Sequence, residues 1–196
     1  MAWTPPTGTI VGNNDKSVSD FLKAWIKQGE IVVVGIIAEG TSKELQSNWE
    51  QPFAEDSLGS MFRKFGGALQ AMTQKTSQTT FNTKLVWMGN LPHALNLVLR
   101  FYALSDPKAE VEDPIRELEK MASPDLNQVL PGGRIPQYVT INIGRKVIYP
   151  ECVITGISIP LDKECSKDGY LIRADVAMQI QTSQMLNRSD IDPTYG

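Results

Sequence analysis

Residues 83–104 read TKLVWMGNLPHALNLVLRFYAL, and the parsing of this stretch decides the fold. Two apolar runs, Lys84 to Met88 and Ala94 to Leu104, flank a Gly-Asn-Leu-Pro break. In the second run Leu95, Leu97, Leu99, Phe101 and Ala103 alternate with Asn96, Val98, Arg100, Tyr102 and Leu104, a period of two. Successive side chains of a strand point to opposite faces, so this is the pattern of a strand with one buried face. The two runs together predict a core hairpin. The stretch carries no recognisable chemistry, so function has to be sought around it.

Upstream, Thr41 to Phe81 changes in composition. Trp49, Pro52 and Phe53 precede a helix-permitting segment, Glu55 to about Thr73, in which Leu58, Met61, Phe62, Phe65, Leu69 and Met72 recur at spacings of three and four. Gly59, Gly66 and Gly67 each weaken that helix by up to ~1 kcal/mol. The polar run TQKTSQTT after it has no core-forming residue and reads as a surface connector. Earlier in the chain, Ile31 to Ala38 is short, β-branched and bounded by Gly29 and Gly40, which predicts a buried strand. Before it, Ser17 or Ser19 can cap a short helix in which Phe21, Leu22, Trp25 and Ile26 recur, ending near Gly29. Residues 1–16 combine Pro5, Pro6, Gly8, Gly12, Asn13 and Asn14, which predicts an extended N-terminal arm with Trp3 and Ile10 as apolar anchors.

Downstream, Ser105-Asp106-Pro107 is a helix start with a capping carboxylate. Val111, Ile115, Leu118 and Ala122 share one face, Asp113-Pro114 restarts or kinks the helix rather than ending it, and Pro124 closes it. A loop follows to about residue 136. Val139, Ile141 and Ile143 then alternate along a strand, Gly144-Arg145 predicts a tight turn, and Val147 to Tyr149 returns. Val153, Thr155, Ile157, Ile159 and Leu161 read as one face of a strand, and Ile172, Ala174, Val176, Met178 and Ile180 as a face of another. Asp168-Gly169 between them makes this a long antiparallel hairpin, with Arg173, Asp175, Gln179 and Gln181 turned to water or a polar neighbour.

The chain has 196 residues, enough for one domain with irregular excursions. A formal charge of -3 is too small to attract nucleic acid by phosphate neutralisation. The longest strongly apolar run, Ile31 to Ala38, falls far short of the roughly 20 residues that span a bilayer, and the N-terminus lacks a secretory pattern. Residence in the cytoplasm, or in a particle assembled there, is expected. Cys152 and Cys165 fit neither a zinc pair nor a disulfide scaffold and read as free thiols. The single histidine, His93, reads as a surface or loop residue, with no nucleophile motif near it. FRKFGGALQ is not a phosphate cradle, since no Lys-Ser/Thr pair follows its glycines. The carboxylates of Glu110 to Glu119 read as a solvated helix face. No catalytic, cofactor-binding or metal-binding residue is therefore assigned. A ligand-binding or hydrolytic β-barrel using His93 with Cys152 or Cys165 is the alternative.

The order of segments is more informative. SLGSMFRKFGGALQAMTQKT, KLVWMGNLPHALNLVLRFYALSDPKAEVEDPIRELEKMASP, PQYVTINIGR and CVITGISIPLDKECSKDGYLIRADVAMQIQTSQMLNRSDI, over roughly residues 55–191, resemble baseplate and tube-initiator proteins of contractile-tailed bacteriophages. The telling pieces are Trp87-x-Gly89 leading to a Pro92-led strand, Asp113 to Ile115 inside the helix, and Ile143-Gly144-Arg145. Residues 192–196, DPTYG, carry no LysM-like pattern, a departure from the family. The resemblance implies an α+β fold: a mainly antiparallel β-sandwich or partly closed barrel similar to a tail-tube subunit, with one packed helix and long N-terminal extensions. The expected organisation is an arm over 1–16, a tail-tube-like domain over 17–191 with an inserted segment at about 41–82, and a tail over 192–196. The implied role is non-catalytic: a ring-forming homo-oligomer of the virion baseplate that joins the central hub to the tail tube and templates tube assembly. DNA would pass through the lumen without sequence-specific binding, and no membrane or cofactor is involved. Trp3, Ile10, Trp49, Phe53, Phe62 and Phe65 are the expected partner-interface residues.

Overall fold

A computed structural model describes residues 6–50, 85–124 and 135–195. Two compact units share the chain, Met1–Leu45 with Pro92–Gly196, and Gln46–Leu91 between them in sequence. The first is a mostly antiparallel β-barrel. Its strands are β1 (Thr9–Val11), β2 (Lys23–Gln28), β3 (Ile31–Ile37) and β4 (Ser42–Glu44). In the second unit lie β5 (Ser47–Glu50) and β6 (Val86–Asn90). The barrel resumes with β7 (Ala94–Tyr102), β8 (Val139–Ile143), β9 (Val147–Ser158) and β10 (Arg173–Thr182).

The sheet runs β1-β3-β2-β8-β9-β10-β7-β4, and a further pairing of β3 with β7 closes β3, β2, β8, β9, β10 and β7 into a six-stranded barrel. Closure removes the open edges that an isolated sheet would present. At the seam Ile36 faces Arg100 and Ile37 faces Leu99, Ala38 N–H donates to Val98, and β4 carries the pairing on with Ser42 against Asn96 and Glu44 against Ala94. Gly35 sits where the walls converge: a Cβ there would lie 3.1 Å from Leu99 Cβ and the Phe101 ring. Leu95, Leu97, Leu99 and Phe101 on β7 meet Ala174, Val176, Met178 and Ile180 on β10 in one core. That burial follows from the period of two on both strands.

The hairpin expected within 83–104 is not formed. β6 pairs with β5 and β7 with β10, β3 and β4, because the Gly-Asn-Leu-Pro break separates two sheets rather than turning one strand onto the next. The helix expected from Ser17 or Ser19 to Gly29 is also overturned. Ser19 caps only a 3-10 turn, Asp20–Leu22, and residues 23–28 are β2. Ala24 and Ile26 face the barrel core while Trp25 packs with Val32 and Val34 in a separate cluster. A strand buried on both faces loses its alternation and imitates a helical stripe.

The helix after Ser105 is present. A π-helical turn, Lys108–Glu112, runs into α1 (Asp113–Ala122), with Pro114 in the first turn of α1. Val111, Ile115, Leu118 and Met121 join the barrel core. Gln28 Nε2 donates to Met121 and Gln137 carbonyls, and Leu171 N–H donates to Glu112, so the helix is pinned where β2 ends and β10 begins. β8 and β9 are joined through Gly144 and Arg145, both in the left-handed region (φ 58° and 57°) as the turn dipeptide requires.

One face expected of β9 is broken. Thr155 is the extra residue in a bulge opposite Gln179 and Ile180, so Cys152 and Ile154 point inward on one side of it and Ile157 on the other. A second irregularity against Val139 and Ile141 holds Pro150, whose missing N–H a bulge tolerates, and its carbonyl accepts from the Thr140 hydroxyl. Leu161 lies outside the strand and is exposed.

Candidate functional site

Of the six residues expected at a partner interface, Trp3, Phe53, Phe62 and Phe65 lie outside the described residues. Trp49 is on β5, 55% exposed, and pairs across the ribbon with Trp87 on β6, 50% exposed. Leu85 and Met88 beside them are exposed as well. Every residue of β5 is exposed, so this two-stranded ribbon displays its indoles rather than burying them. Trp87 is not among the residues expected at an interface, and its exposure becomes legible only once β6 is seen to pair with β5.

Ile10 lies on β1, which pairs in parallel with β3 of the same barrel from Thr9 against Ile31 to Val11 against Val33. The described part of the arm is held further by Asn13 Nδ2 donating to the Tyr102 carbonyl and the Tyr102 hydroxyl donating to Asp15. Hydrogen bonds from Ser17, then from Tyr102, hold the Asp15 carboxyl below its ordinary value.

The barrel mouth where β7 starts and β10 ends gathers most of the remaining polar chemistry. His93 is buried here, against the expectation of a surface position, because its backbone is tied on both sides to Thr182 at the end of β10. Its Nδ1 lies 3.1 Å from the hydroxyl of Tyr149, a fully buried side chain of β9, and the rings meet edge to face. Lys43 Nζ on β4 donates to the Tyr195 hydroxyl at 2.6 Å and lies 4.5 Å from the centre of that ring. The Tyr195 bond raises the Lys43 ammonium above its ordinary value, whereas burial, and then Lys43, push the His93 imidazole below its own. Burial raises the Tyr149 phenol.

The cysteines do not join this cluster as nucleophiles. Cys152 is buried and its thiol is pushed up to about 12 by burial, which leaves it protonated at neutral pH. Cys165 is exposed on the β9–β10 connection and donates to the Lys163 carbonyl. Neither hydrogen-bonds His93. Among the described residues no group of three or more His, Cys, Asp or Glu is placed to hold a metal ion. No described helix is long and apolar enough to cross a membrane.

The outer wall is polar as the alternation on β10 predicts. Arg100 grips Asp175 through two hydrogen bonds of 2.7 and 3.0 Å, and this pairing holds the carboxyl low. Where β4, β7, β9 and β10 come together a groove of about 350 Å³ is lined by Ser42, Asn96, Thr155, Gln179 and Gln181, with Glu44 and the apolar Ala94, Leu95 and Ile180. No protein-family model matches the chain, and no curated protein does.

Proposed function

We propose that the chain is a structural subunit of a contractile phage tail baseplate, forming a ring that links the central hub to the tail tube and templates tube assembly. The observation that carries this reading is the β5–β6 ribbon, whose cross-strand Trp49–Trp87 pair stands half exposed beside Leu85 and Met88. Large apolar side chains gathered on one exposed ribbon mark a surface meant for a protein neighbour, and tryptophan is the residue type that most often dominates such contacts. Among the described residues this ribbon pairs with no further strand, and two strands alone are marginal in water, so a neighbouring subunit would add to its stability. The closed barrel supplies a rigid wall of the kind a tail-tube-like subunit needs. The slightly negative chain suits a lumen through which a polyanion must pass unbound.

The test is assembly. Purified chain, alone and mixed with tube and hub proteins of a contractile tail, is followed by light scattering and electron microscopy. Rings or capped tubes that disappear in the double variant Trp49→Ser, Trp87→Ser are expected. A chain that stays monomeric and binds neither partner under all these conditions overturns the reading.

A further inference from the structure

Residues 183–195 continue from β10 along the edge of β9 that β10 has left. Ser183 N–H donates to the Glu151 carbonyl. A short helix, α2 (Arg188–Ile191), is closed by reciprocal bonds between Asn187 and Asp190, and a 3-10 turn, Asp192–Thr194, follows with Thr194 buried. Tyr195 then bridges to Val147 at the start of β9, and Lys43 clasps its hydroxyl. A cleft of about 240 Å³ lies between this segment and β9, lined by Tyr149, Glu151, Thr182, Leu186 and Thr194 among others.

Beside this segment sits His93, 4% exposed, with Nδ1 on Tyr149 and Nε2 without a hydrogen-bond partner. The groups that bear on it come from four elements. Lys43 on β4 is a cation that donates to the Tyr195 hydroxyl at the chain end; burial raises the Tyr149 phenol and the Cys152 thiol on β9, which keeps both neutral at neutral pH. Thr182 on β10 does not titrate. The charge that acts on the ring is the Lys43 ammonium, while the carboxylate that lines the cleft, Glu151 on β9, accepts from the Ser183 hydroxyl.

We propose that residues 183–195 form an acid-released strap across this barrel mouth, with His93 as the trigger. A proton on His93 places a charge on a buried ring whose Nε2 has no hydrogen-bond partner, and the exposed Lys43 ammonium opposes that charge further. Water relieves that arrangement if the strap lifts, because Tyr195 then leaves Lys43 and the cleft beside Tyr149 opens. Burial and Lys43 both set the imidazole below its ordinary value, so the strap stays shut at neutral pH. Nothing in this depends on assembly into a tail.

His93 is the single histidine, so its ring resonances in the full chain are unambiguous. The experiment follows those resonances from pH 7.5 to 4.5 together with hydrogen exchange of residues 183–195, corrected for intrinsic rates. Protection of the strap amides is expected to fall at least tenfold with the same midpoint as the ring titration, while β2, β3 and β8 keep theirs. His93→Gln should leave strap protection flat with pH, and Lys43→Met should move the midpoint upward. Strap protection that persists through the ring titration overturns the proposal, even if His93→Gln fails to fold. So does an acid loss that survives in His93→Gln.

Discussion

Gly144 shows how narrow the requirement at a single residue can be. Its φ is 58°, and a Cβ would lie 2.6 Å from the Phe21 carbonyl oxygen, so substitution meets both a disfavoured backbone region and a backbone atom. Gly144→Ala is expected to cost about 2–3 kcal/mol, read from the urea midpoint. Gly169→Ala is the comparison: its φ is 86° but nothing lies within 4 Å, so only the backbone cost of about 1 kcal/mol should appear. The cysteines separate in the same way by surroundings. A thiol reagent at pH 8 should modify Cys165 quickly and Cys152 only on unfolding, and rapid modification of both would contradict the packing around Cys152. His93 adds a pH dependence. Its folded value lies below the ordinary 6.5, so just below 6.5 the unfolded chain binds more protons and stability rises with pH there. Stability should therefore be full above 6.5 and decline as acid brings the pH down toward the lowered folded value. Asp15, Glu110, Asp175 and Asp190 are also lowered, but from 3.8 or 4.5, so their losses begin further into acid. Urea midpoints at pH 7.5, 6 and 5 should show the first decline in the wild type and not in His93→Gln.

Among the elements, the helix start depends on one side chain more than its sequence suggests. Glu110 accepts from the backbone N–H groups of Leu104, Ser105 and Asp106, which would otherwise be orphaned before the first turn. Burial raises its carboxyl, but these bonds outweigh it and hold the group low. Glu110→Gln is expected to cost about 1 kcal/mol, reduced by exposure to solvent, and to flatten part of the acid limb below pH 4.5 in the same titration. Sequence alone showed this segment as a solvated acidic face, since its spacing to Leu104 is set by a π-helical turn that periodicity does not announce. β7 and β10 were legible because each has one core face and one wet face, and alternation survives that arrangement. β2 was illegible because both its faces are buried, and β9 because its bulges at Pro150 and Thr155 shift the inward set twice. Trp49 could be picked out as an isolated large apolar residue in a polar context. Its partner Trp87 could not, because the pairing that exposes it joins residues on either side of a long intervening segment.

At the scale of the whole molecule, what holds the barrel and what the proposed interface would use are carried by different residues, and the two can be separated experimentally. Leu99 is fully buried at the seam, facing Ile37 across β3 and lying 3.1 Å from the point a Gly35 Cβ would occupy. Leu99→Ala removes packing from the line along which the barrel closes, and the converging walls leave a cavity that neighbouring backbone cannot readily fill. A loss of about 3–5 kcal/mol is expected, with a lowered melting temperature. Among the described residues Trp49 and Trp87 join neither core cluster and stand half exposed on their ribbon, so Trp49→Ser with Trp87→Ser deletes little of the barrel's packing. Its unfolding free energy should stay within about 0.5 kcal/mol of wild type. If the ribbon is an interface, this second variant should nonetheless fail to assemble at concentrations where wild type forms rings, whereas Leu99→Ala, kept well below its melting temperature, should still assemble. Both variants are measured by calorimetry and by light scattering with tube and hub proteins. The opposite pairing, assembly lost with Leu99→Ala but retained in the tryptophan variant, would place the contact surface on the barrel wall instead of the ribbon.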